Sequence, residues 1–180
     1  MNVLRQELLD KRRTLSLQEV AMYSKQIQTV LQTYVKEGMV IGCYCAMADE
    51  VQLQPLCKAL LQTCTIAYPV CKPYGCMDFY EVNADTKYIQ SSYGIFEPSS
   101  KVRIHREAFD IIVVPMVGFD EQCHRLGHGA GYYDRYLANI SAIKIGVAFE
   151  SQKVEMLTSK PHDIDMDIII TEKTQYNKDR

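Results

Sequence analysis

The sequence predicts an α/β fold, a three-layer α/β/α sandwich around a mainly parallel, Rossmann-like sheet. Amphipathic helical patterns alternate along the chain with short apolar runs, the order expected when helices cover both faces of a sheet. The run at residues 111–114 is continuously apolar, as in strands buried on both faces. No linker, repeat or low-complexity tract divides the 180 residues. We therefore expect one domain over residues 1–180.

The first elements are two helices. Residues 2–14 carry leucines on one face and basic residues on the other, which predicts an amphipathic helix. Ser16 and Glu19 have the spacing of a capping box, in which each side chain bonds the other's backbone, so a second helix begins there. Gly38 is the expected end of this helix.

Strands and one further helix are predicted for the rest of the chain. Asp49 is a candidate N-cap for a helix over residues 51–62. Residues 85–106 are expected to be irregular, and the polar end at residues 174–180 is expected to fray. Apolar, β-branched runs predict strands near residues 39–45, 65–69, 77–82, 111–114, 143–149 and 167–171.

Composition excludes several classes of function. The net charge is −2 and the pI is about 6.1, so no overall basic surface exists for a nucleic acid. No apolar run is long enough to span a bilayer, and the N-terminus lacks the apolar core of a signal peptide. Seven scattered cysteines suit a reducing compartment better than a disulfide framework. We expect a cytoplasmic monomer without nucleic-acid or membrane partners.

A glycine-rich loop between a predicted strand and a predicted helix is the strongest local signal. Gly127, Gly129 and Gly131 occupy every second position, and Arg125 precedes them. Glycines let the backbone approach a ligand closely, and the start of a helix favours an anion. An arginine adds a planar cation that fits a phosphate. The pattern predicts a phosphate-binding loop; a merely flexible loop is the alternative, since neither a dinucleotide fingerprint nor a P-loop is present.

Acidic residues near this loop are candidate metal ligands. Asp134 lies at the start of the helix after the glycines, and Asp163, Asp165 and Asp167 lie near the last predicted strand. Mg²⁺ needs only one or two carboxylates beside phosphate oxygens and water. Asp134 with any of the other three would satisfy this requirement, although three acids in five residues also fit a solvated turn.

The predicted topology indicates where a site would form. Ligands of parallel α/β sheets bind at the carboxyl ends of the strands. Three segments come directly after strands or lie near them in this way: residues 46–50, the loop after Pro115, and residues 163–167. We expect them to lie near one another.

The string at residues 113–137, VVPMVGFDEQCHRLGHGAGYYDRYL, resembles the signature of the 5-formyltetrahydrofolate cyclo-ligases, also called methenyltetrahydrofolate synthetases. Weaker likenesses cover most of the chain. The resemblance implies an enzyme that uses ATP and Mg²⁺ to cyclise 5-formyltetrahydrofolate, with or without a polyglutamate tail. The implied products are 5,10-methenyltetrahydrofolate, ADP and phosphate. The shared residues are Phe119, Asp120, Arg125, Leu126, Gly127, Gly129, Gly131, Tyr132, Tyr133 and Asp134.

The resemblance also implies roles for individual residues. It implies catalytic roles for Arg125 and Tyr132, and metal binding by Asp134 and Asp167. It implies ATP binding by the first helix and the glycine loop, through Arg5, Arg125, Leu126, Gly127, His128, Gly129, Ala130, Gly131, Tyr132 and Tyr133. It implies folate binding by Arg5, Cys45, Glu50, Met77, Phe79 and Tyr132.

Several of these residues have a plain structural alternative. Arg5 fits a solvated helix face, and Glu50 fits an ordinary acid in the first turn of a helix. Met77 and Phe79 fit the alternation of a core strand. The turn at residues 94–98 resembles a family element, but the sequence assigns it no chemistry.

Three positions depart from the family pattern. Met1 stands where the family usually has a lysine, and His128 and Ala130 stand where many relatives have a basic residue. Fewer cations near the phosphates imply weaker ATP binding, restored in part when His128 is protonated. Two other functions stay open: a paralogue that uses the ATP loop on a non-folate substrate, and a non-catalytic binder of nucleotide or folate.

Overall fold

The computed structural model describes residues 3–91 and 94–178, so Met1 lies outside the described residues. Its helices are α1 (Val3–Arg13), α2 (Leu17–Gln32), α3 (Gln54–Leu60) and α4 (Tyr132–Leu137), none of them long and apolar enough to cross a membrane. Its strands are β1 (Val40–Gly42), β2 (Thr65–Cys71), β3 (Met77–Val82), β4 (Tyr88–Gln90), β5 (Phe96–Pro98), β6 (Arg103–Ile104), β7 (Ile111–Pro115), β8 (Gly118–Phe119), β9 (Arg125–Leu126), β10 (Ile143–Val147), β11 (Ile168–Ile170) and β12 (Gln175–Asn177).

Eight of these strands form one sheet. Their order is β12-β11-β10-β7-β1-β2-β3-β6. The five central strands, from β11 to β2, run parallel. At one edge β12 pairs antiparallel with β11, and at the other β3 pairs antiparallel with both β2 and β6. The predicted α/β fold with a mainly parallel sheet is therefore confirmed.

The central strand β7 shows why the fold has three layers. Residues 111–114 are fully buried, and successive side chains point to opposite faces of the sheet. Ile111 and Val113 belong to the core that packs under α2 and α3. Ile112 and Val114 belong to the core on the other face, which contains the end of α4. A continuously apolar strand is needed because both faces are covered.

Helix α1 packs apart from these two cores. Leu8 and Leu9 form a small cluster with Val117, in the segment that leads from β7 towards the glycine loop. A Cβ atom on Gly118 would lie 2.5 Å from Cδ1 of Leu8, so glycine permits this close approach. The packing fixes α1 beside the loop.

The start of α2 is as predicted, but its end is not. The Ser16 Oγ accepts a hydrogen bond from the Glu19 amide, and Glu19 accepts one from the Ser16 amide at 2.8 Å, which confirms the capping box. The helix ends at Gln32, six residues before Gly38. Gly38 adopts φ +83° in the turn that precedes β1.

The third helix also begins later than predicted. It starts at Gln54 with Pro55 in its first turn, and no side chain caps it. Asp49 is therefore not its N-cap, and instead accepts hydrogen bonds from Arg12. The segment between β1 and α3 becomes an irregular turn.

Two stretches have more structure than predicted. Within residues 85–106, β4 and β5 form a small hairpin sheet and β6 extends the main sheet. At the C-terminal end, β12 pairs with β11, and Tyr176 donates a hydrogen bond to Glu150 at 2.7 Å. The polar sequences conceal these strands because each has an exposed face.

Candidate functional site

A cavity of about 980 Å³ lies at the carboxyl ends of the central strands. Its wall includes Tyr44 after β1, Cys71 at the end of β2 and Pro115 at the end of β7. Residues from 44–50, 125–135 and 158–164 also line it, so the expected convergence of three segments occurs. The volume is near the upper end of the usual range for small-molecule sites, about 300–1,000 Å³.

The glycine loop forms one wall of the cavity. Gly129 and Gly131 have φ of +101° and +69°, a conformation that other residues adopt only with strain. A Cβ atom on Gly131 would also lie 2.9 Å from the guanidinium of Arg135. Helix α4, which comes next, has only six residues, so backbone N–H groups and arginines contribute more than a helix dipole. All ten residues predicted to bind ATP line the cavity.

Two arginines hold this loop in place. Arg5 Nε donates to the Gly127 carbonyl at 2.8 Å, which links α1 to the loop. Arg135 donates to the carbonyls of Gly75 and Ala130 at 2.8 and 2.5 Å. These bonds show that Arg5 is not on a merely solvated helix face. They also fix positive charge beside the loop.

Arg125 carries an unused donor. One of its terminal nitrogens binds Asp134 Oδ1 at 2.6 Å, and only 4% of its side chain is exposed. Its Nε is buried and has no hydrogen-bond partner among the described residues. Since a buried unpaired donor is costly, a ligand oxygen is the natural partner for this group.

The two tyrosines after the glycines face different neighbours. The ring of Tyr132 lies 5.7 Å from the Arg135 guanidinium. The ring of Tyr133 lies 5.8 Å from the Arg125 guanidinium. The buried Tyr133 hydroxyl has no hydrogen-bond partner among the described residues. Burial raises the pKa of Tyr133 well above its usual value, and the Glu50 carboxylate adds to the shift. This tyrosine therefore offers a neutral hydroxyl donor to the cavity.

Glu50 is a buried carboxylate in the cavity wall. Only 6% of the residue is exposed, and Oε2 accepts a hydrogen bond from the Met47 amide at 2.9 Å. Its Oε1 lies 3.5 Å from both a terminal nitrogen of Arg12 and Nε2 of His128. The residue precedes α3 rather than lying in its first turn, so the plain alternative for Glu50 is wrong.

Two thiols and a second carboxylate line the same wall. Burial raises the pKa of Cys45 to about 12 and that of Cys71 to about 11, with the Glu97 carboxylate adding to both. Glu97 accepts a hydrogen bond from the Cys71 amide at 2.9 Å. At neutral pH both thiols are protonated, so they form the wall without acting as nucleophiles.

Strand β3 contributes only one of its two predicted contacts. Met77 lines the cavity, whereas Phe79 does not. Phe79 is completely buried and packs against Phe109 and Tyr136, with ring centroids 5.2 and 4.9 Å apart. Phe79 therefore takes the core position that the sequence allowed as its alternative, and its contact with the folate stays a prediction.

The two aspartates of the predicted metal pair have different surroundings. Asp134 lines the cavity, and its Oδ1 is bound by Arg125 and by the Ile164 amide at 3.3 Å. Asp167 is absent from the lining, and its carboxylate binds the amide and the ammonium group of Lys144 at 2.7 and 2.9 Å. Of the two alternatives that the residue chemistry left open, Asp163 lines the cavity, whereas Asp165 does not and binds Lys178 at 2.8 Å.

Three residues at this site were not predicted from the sequence. Arg12 and Arg135 lie among other charged residues on predicted helices, where solvated side chains are the usual interpretation. Glu97 lies in the turn that was assigned no chemistry. The one available signal for Glu97 was its place in a family-like stretch.

Comparison with known proteins agrees with this geometry. The model of the 5-formyltetrahydrofolate cyclo-ligase family matches residues 1–172. The 5-formyltetrahydrofolate cyclo-ligase of Mycoplasma pneumoniae is 30% identical over 181 residues, which covers 96% of this chain and 98% of the relative. That of Escherichia coli K12 is 29% identical over 171 residues, covering 89% and 94%.

A solved structure extends the likeness to three dimensions. The NMR structure of Aquifex aeolicus 5,10-methenyltetrahydrofolate synthetase has a TM-score of 0.85 and 33% identity to this chain. The match covers 97% of this chain and 91% of that one. The chain therefore belongs to the 5-formyltetrahydrofolate cyclo-ligase family, a family of ligases.

Proposed function

We propose that this protein uses ATP to cyclise 5-formyltetrahydrofolate to 5,10-methenyltetrahydrofolate, with release of ADP and phosphate. One observation carries the proposal beyond family membership. One cavity is lined both by the glycine loop with its arginines and by the buried carboxylate Glu50. Phosphates and a folate would then meet inside one site.

The glycine loop is the proposed phosphate end. Backbone N–H groups of residues 127–131 and the buried Nε of Arg125 supply hydrogen-bond donors for phosphate oxygens. Arg5 and Arg135 hold the loop through its carbonyls. Phosphoryl transfer depends mainly on positioning and charge stabilisation, which this arrangement provides.

The part of the cavity around Glu50 is the proposed folate end. A reduced pterin presents an amino group and ring N–H donors side by side, and the Glu50 carboxylate is a suitable acceptor. Cys45 and Met77 supply an apolar surface for the ring. Tyr132, at the junction with the glycine loop, would orient the formyl group towards the phosphates.

The proposed reaction has two steps. The formyl oxygen attacks the γ-phosphorus in line, ADP leaves, and an iminium phosphate forms on the folate. The anilino nitrogen of the folate then attacks the activated carbon, loses its proton, and phosphate departs. No covalent enzyme intermediate is required, in keeping with the protonated thiols at the cavity wall.

We propose Asp134 as the main protein ligand of Mg²⁺, with Asp163 favoured over Asp167 as a second. The described residues contain no cluster of three metal-ligating side chains, but Mg²⁺ held by phosphates needs only one or two carboxylates. Asp134 and Asp163 both line the cavity, so the residues present fit such a site. The bound ion would supply positive charge to the transferred phosphoryl group.

The location and substrate form complete the proposal. All seven cysteines are free, as expected for a chain kept in a reducing cytoplasm. The exposed Lys160 at the cavity wall would favour a polyglutamate tail over a single glutamate.

The test is the absorbance of the methenyl product after mixing protein, 5-formyltetrahydrofolate, Mg²⁺ and ATP. We expect a rise that requires both ATP and metal and that is abolished in Asp134→Ala. Asp85→Ala, an exposed acid outside the cavity wall, is the matched control and should keep full activity. No rise despite ATP binding would indicate a paralogue with another substrate, and full activity in Asp134→Ala would overturn the metal assignment.

A further inference from the structure

Arg12 is a buried cation that the proposed reaction does not use. Only 2% of its side chain is exposed, although its neighbours Lys11 and Arg13 on the same helix are exposed. Its Nε and one terminal nitrogen donate to Asp49 Oδ2 at 3.1 and 3.0 Å. Its other terminal nitrogen lies 3.5 Å from Glu50 Oε1. Burying a guanidinium costs free energy unless it is paired with an acid. Arg12 therefore depends on the carboxylates of Asp49 and Glu50 to remain buried.

The place of Arg12 on α1 connects the two ends of the cavity. Arg5 and Arg12 are seven residues apart, so they lie on the same face of the helix. Arg5 donates to the Gly127 carbonyl, and Arg12 contacts Glu50. His128, from the same loop, approaches Glu50 Oε1 at 3.5 Å. One helix face therefore supports both the glycine loop and the Glu50 carboxylate.

We infer that Arg12 is a positioning residue that orients Glu50 for the substrate's N–H donors. This inference rests on the proposed function. The guanidinium fork supplies several donors in a fixed plane, so it can bind Asp49 and Glu50 at once. With Oε2 held by the Met47 amide and Oε1 faced by Arg12, the carboxylate plane of Glu50 is fixed at the cavity wall. A lysine could reach one carboxylate but could not impose the same plane.

The first test compares two neighbouring arginines. In Arg12→Gln, the KM for 5-formyltetrahydrofolate should rise by about tenfold or more, because misplacing a binding group weakens the productive geometry. The KM for ATP should change by less than about twofold, since the glycine loop keeps its own contacts. Arg13→Gln removes the same charge from an exposed side chain and should change neither constant. An equal rise in both constants, or a lower Tm with unchanged constants, would overturn the inference.

A double-mutant cycle separates positioning from stability. If Arg12 acts through Glu50, then Arg12→Gln should add nothing to the KM for the folate in a Glu50→Gln background. If Arg12 affects folate binding by a route that does not involve Glu50, the effects of the two substitutions on this KM should multiply. Multiplying effects would contradict a positioning role.

A conservative variant covers the case in which Arg12→Gln fails to fold. Arg12→Lys keeps the charge but loses the planar fork, and an intermediate rise in the KM for the folate is expected. A wild-type KM in a folded Arg12→Lys protein would overturn the inference. Absence of turnover in the unmodified chain would instead defeat the proposed function, so the two failures are distinguishable.

Discussion

The two ends of the cavity are built from different parts of the polypeptide. The proposed phosphate end uses backbone groups of residues 127–131, several of them exposed, held by arginines. The proposed folate end uses buried side chains, Glu50 among them, that depend on partners distant in sequence. The first kind of site depends on local glycine conformations, and the second depends on long-range packing. Substitutions at the two ends should therefore affect binding, turnover and stability differently.

Among the substitutions compared below, removing Arg125 from the phosphate end should have the largest effect. Arg125→Ala deletes the buried Nε donor and leaves Asp134 without its arginine partner. We expect kcat/KM to fall by about 10²–10³-fold, the usual cost of losing one preorganised electrostatic donor. Steady-state turnover of 5-formyltetrahydrofolate measures this. Arg103→Ala, which removes an exposed arginine outside the cavity wall, should remain active, and equal losses in both variants would refute the assignment.

The backbone geometry of the loop can be tested with a pair of glycines. Gly131 and Gly38 both have positive φ, but a Cβ atom would meet Arg135 only at Gly131 and nothing within 4 Å at Gly38. Each change to alanine should cost about 1–2 kcal/mol in unfolding free energy from backbone strain. Only Gly131→Ala should raise the KM for ATP, by about tenfold, which is about 1.4 kcal/mol of binding. If Gly38→Ala raised that KM equally, the loop would have no special role.

The carboxylates near the phosphate end should differ in their metal dependence. Asp163 lines the cavity, whereas Asp167 binds Lys144 outside it. Asp163→Asn should raise the Mg²⁺ concentration for half-maximal activity by up to about tenfold, in the range of effects for groups that support a metal site. Asp167→Asn should lower stability slightly and leave the Mg²⁺ requirement unchanged. The reverse result would restore the pair expected from the family resemblance.

Alkaline pH should destabilise the protein in part through Cys45. The pKa of Cys45 is raised by burial to about 12, above the ordinary thiol value of 9.0. The native state therefore keeps the proton that the unfolded chain loses, so stability is full below pH 9 and falls as pH rises towards 12. Chemical denaturation at about pH 8 and about pH 11 should show a decline that is smaller in Cys45→Ala by on the order of 1–2 kcal/mol. An identical decline in both proteins would show that Cys45 does not contribute.

The parts of this protein that were predicted correctly depend on neighbours in sequence. The capping box at Ser16 uses atoms three residues apart. The strand at residues 111–114 and the glycine loop carry their patterns within a few residues. Asp120, a residue of the family signature, forms a local hydrogen bond with His124 at 2.8 Å. It also accepts a hydrogen bond from the amide of Leu157, which is distant in sequence. Such contacts are visible because the residues that make them occur together.

The surroundings differ from the expected ones where a distant partner decided the outcome. Asp49 was expected to cap a helix, but its carboxylate accepts hydrogen bonds from the buried Arg12. The helix begins later, at Gln54, with Pro55 in its first turn. Phe79 was expected at the cavity wall, but the rings of Phe109 and Tyr136 enclose it. Asp167 was expected beside Asp134, but Lys144 binds it. Each side chain had two acceptable environments, and no local pattern distinguishes them.

By itself, the sequence determined the α/β class, the glycine loop and the family, because periodicity, glycine spacing and a motif are properties of neighbouring residues. Only the tertiary structure decided which charged side chains meet. It pairs Arg12 with Glu50. It also places Glu97 at the cavity wall, on the β4–β5 hairpin that the sequence did not predict. The physical reason is that a charge in water has little preference among partners, whereas a buried charge must be paired, and burial is set by the packing of the whole chain.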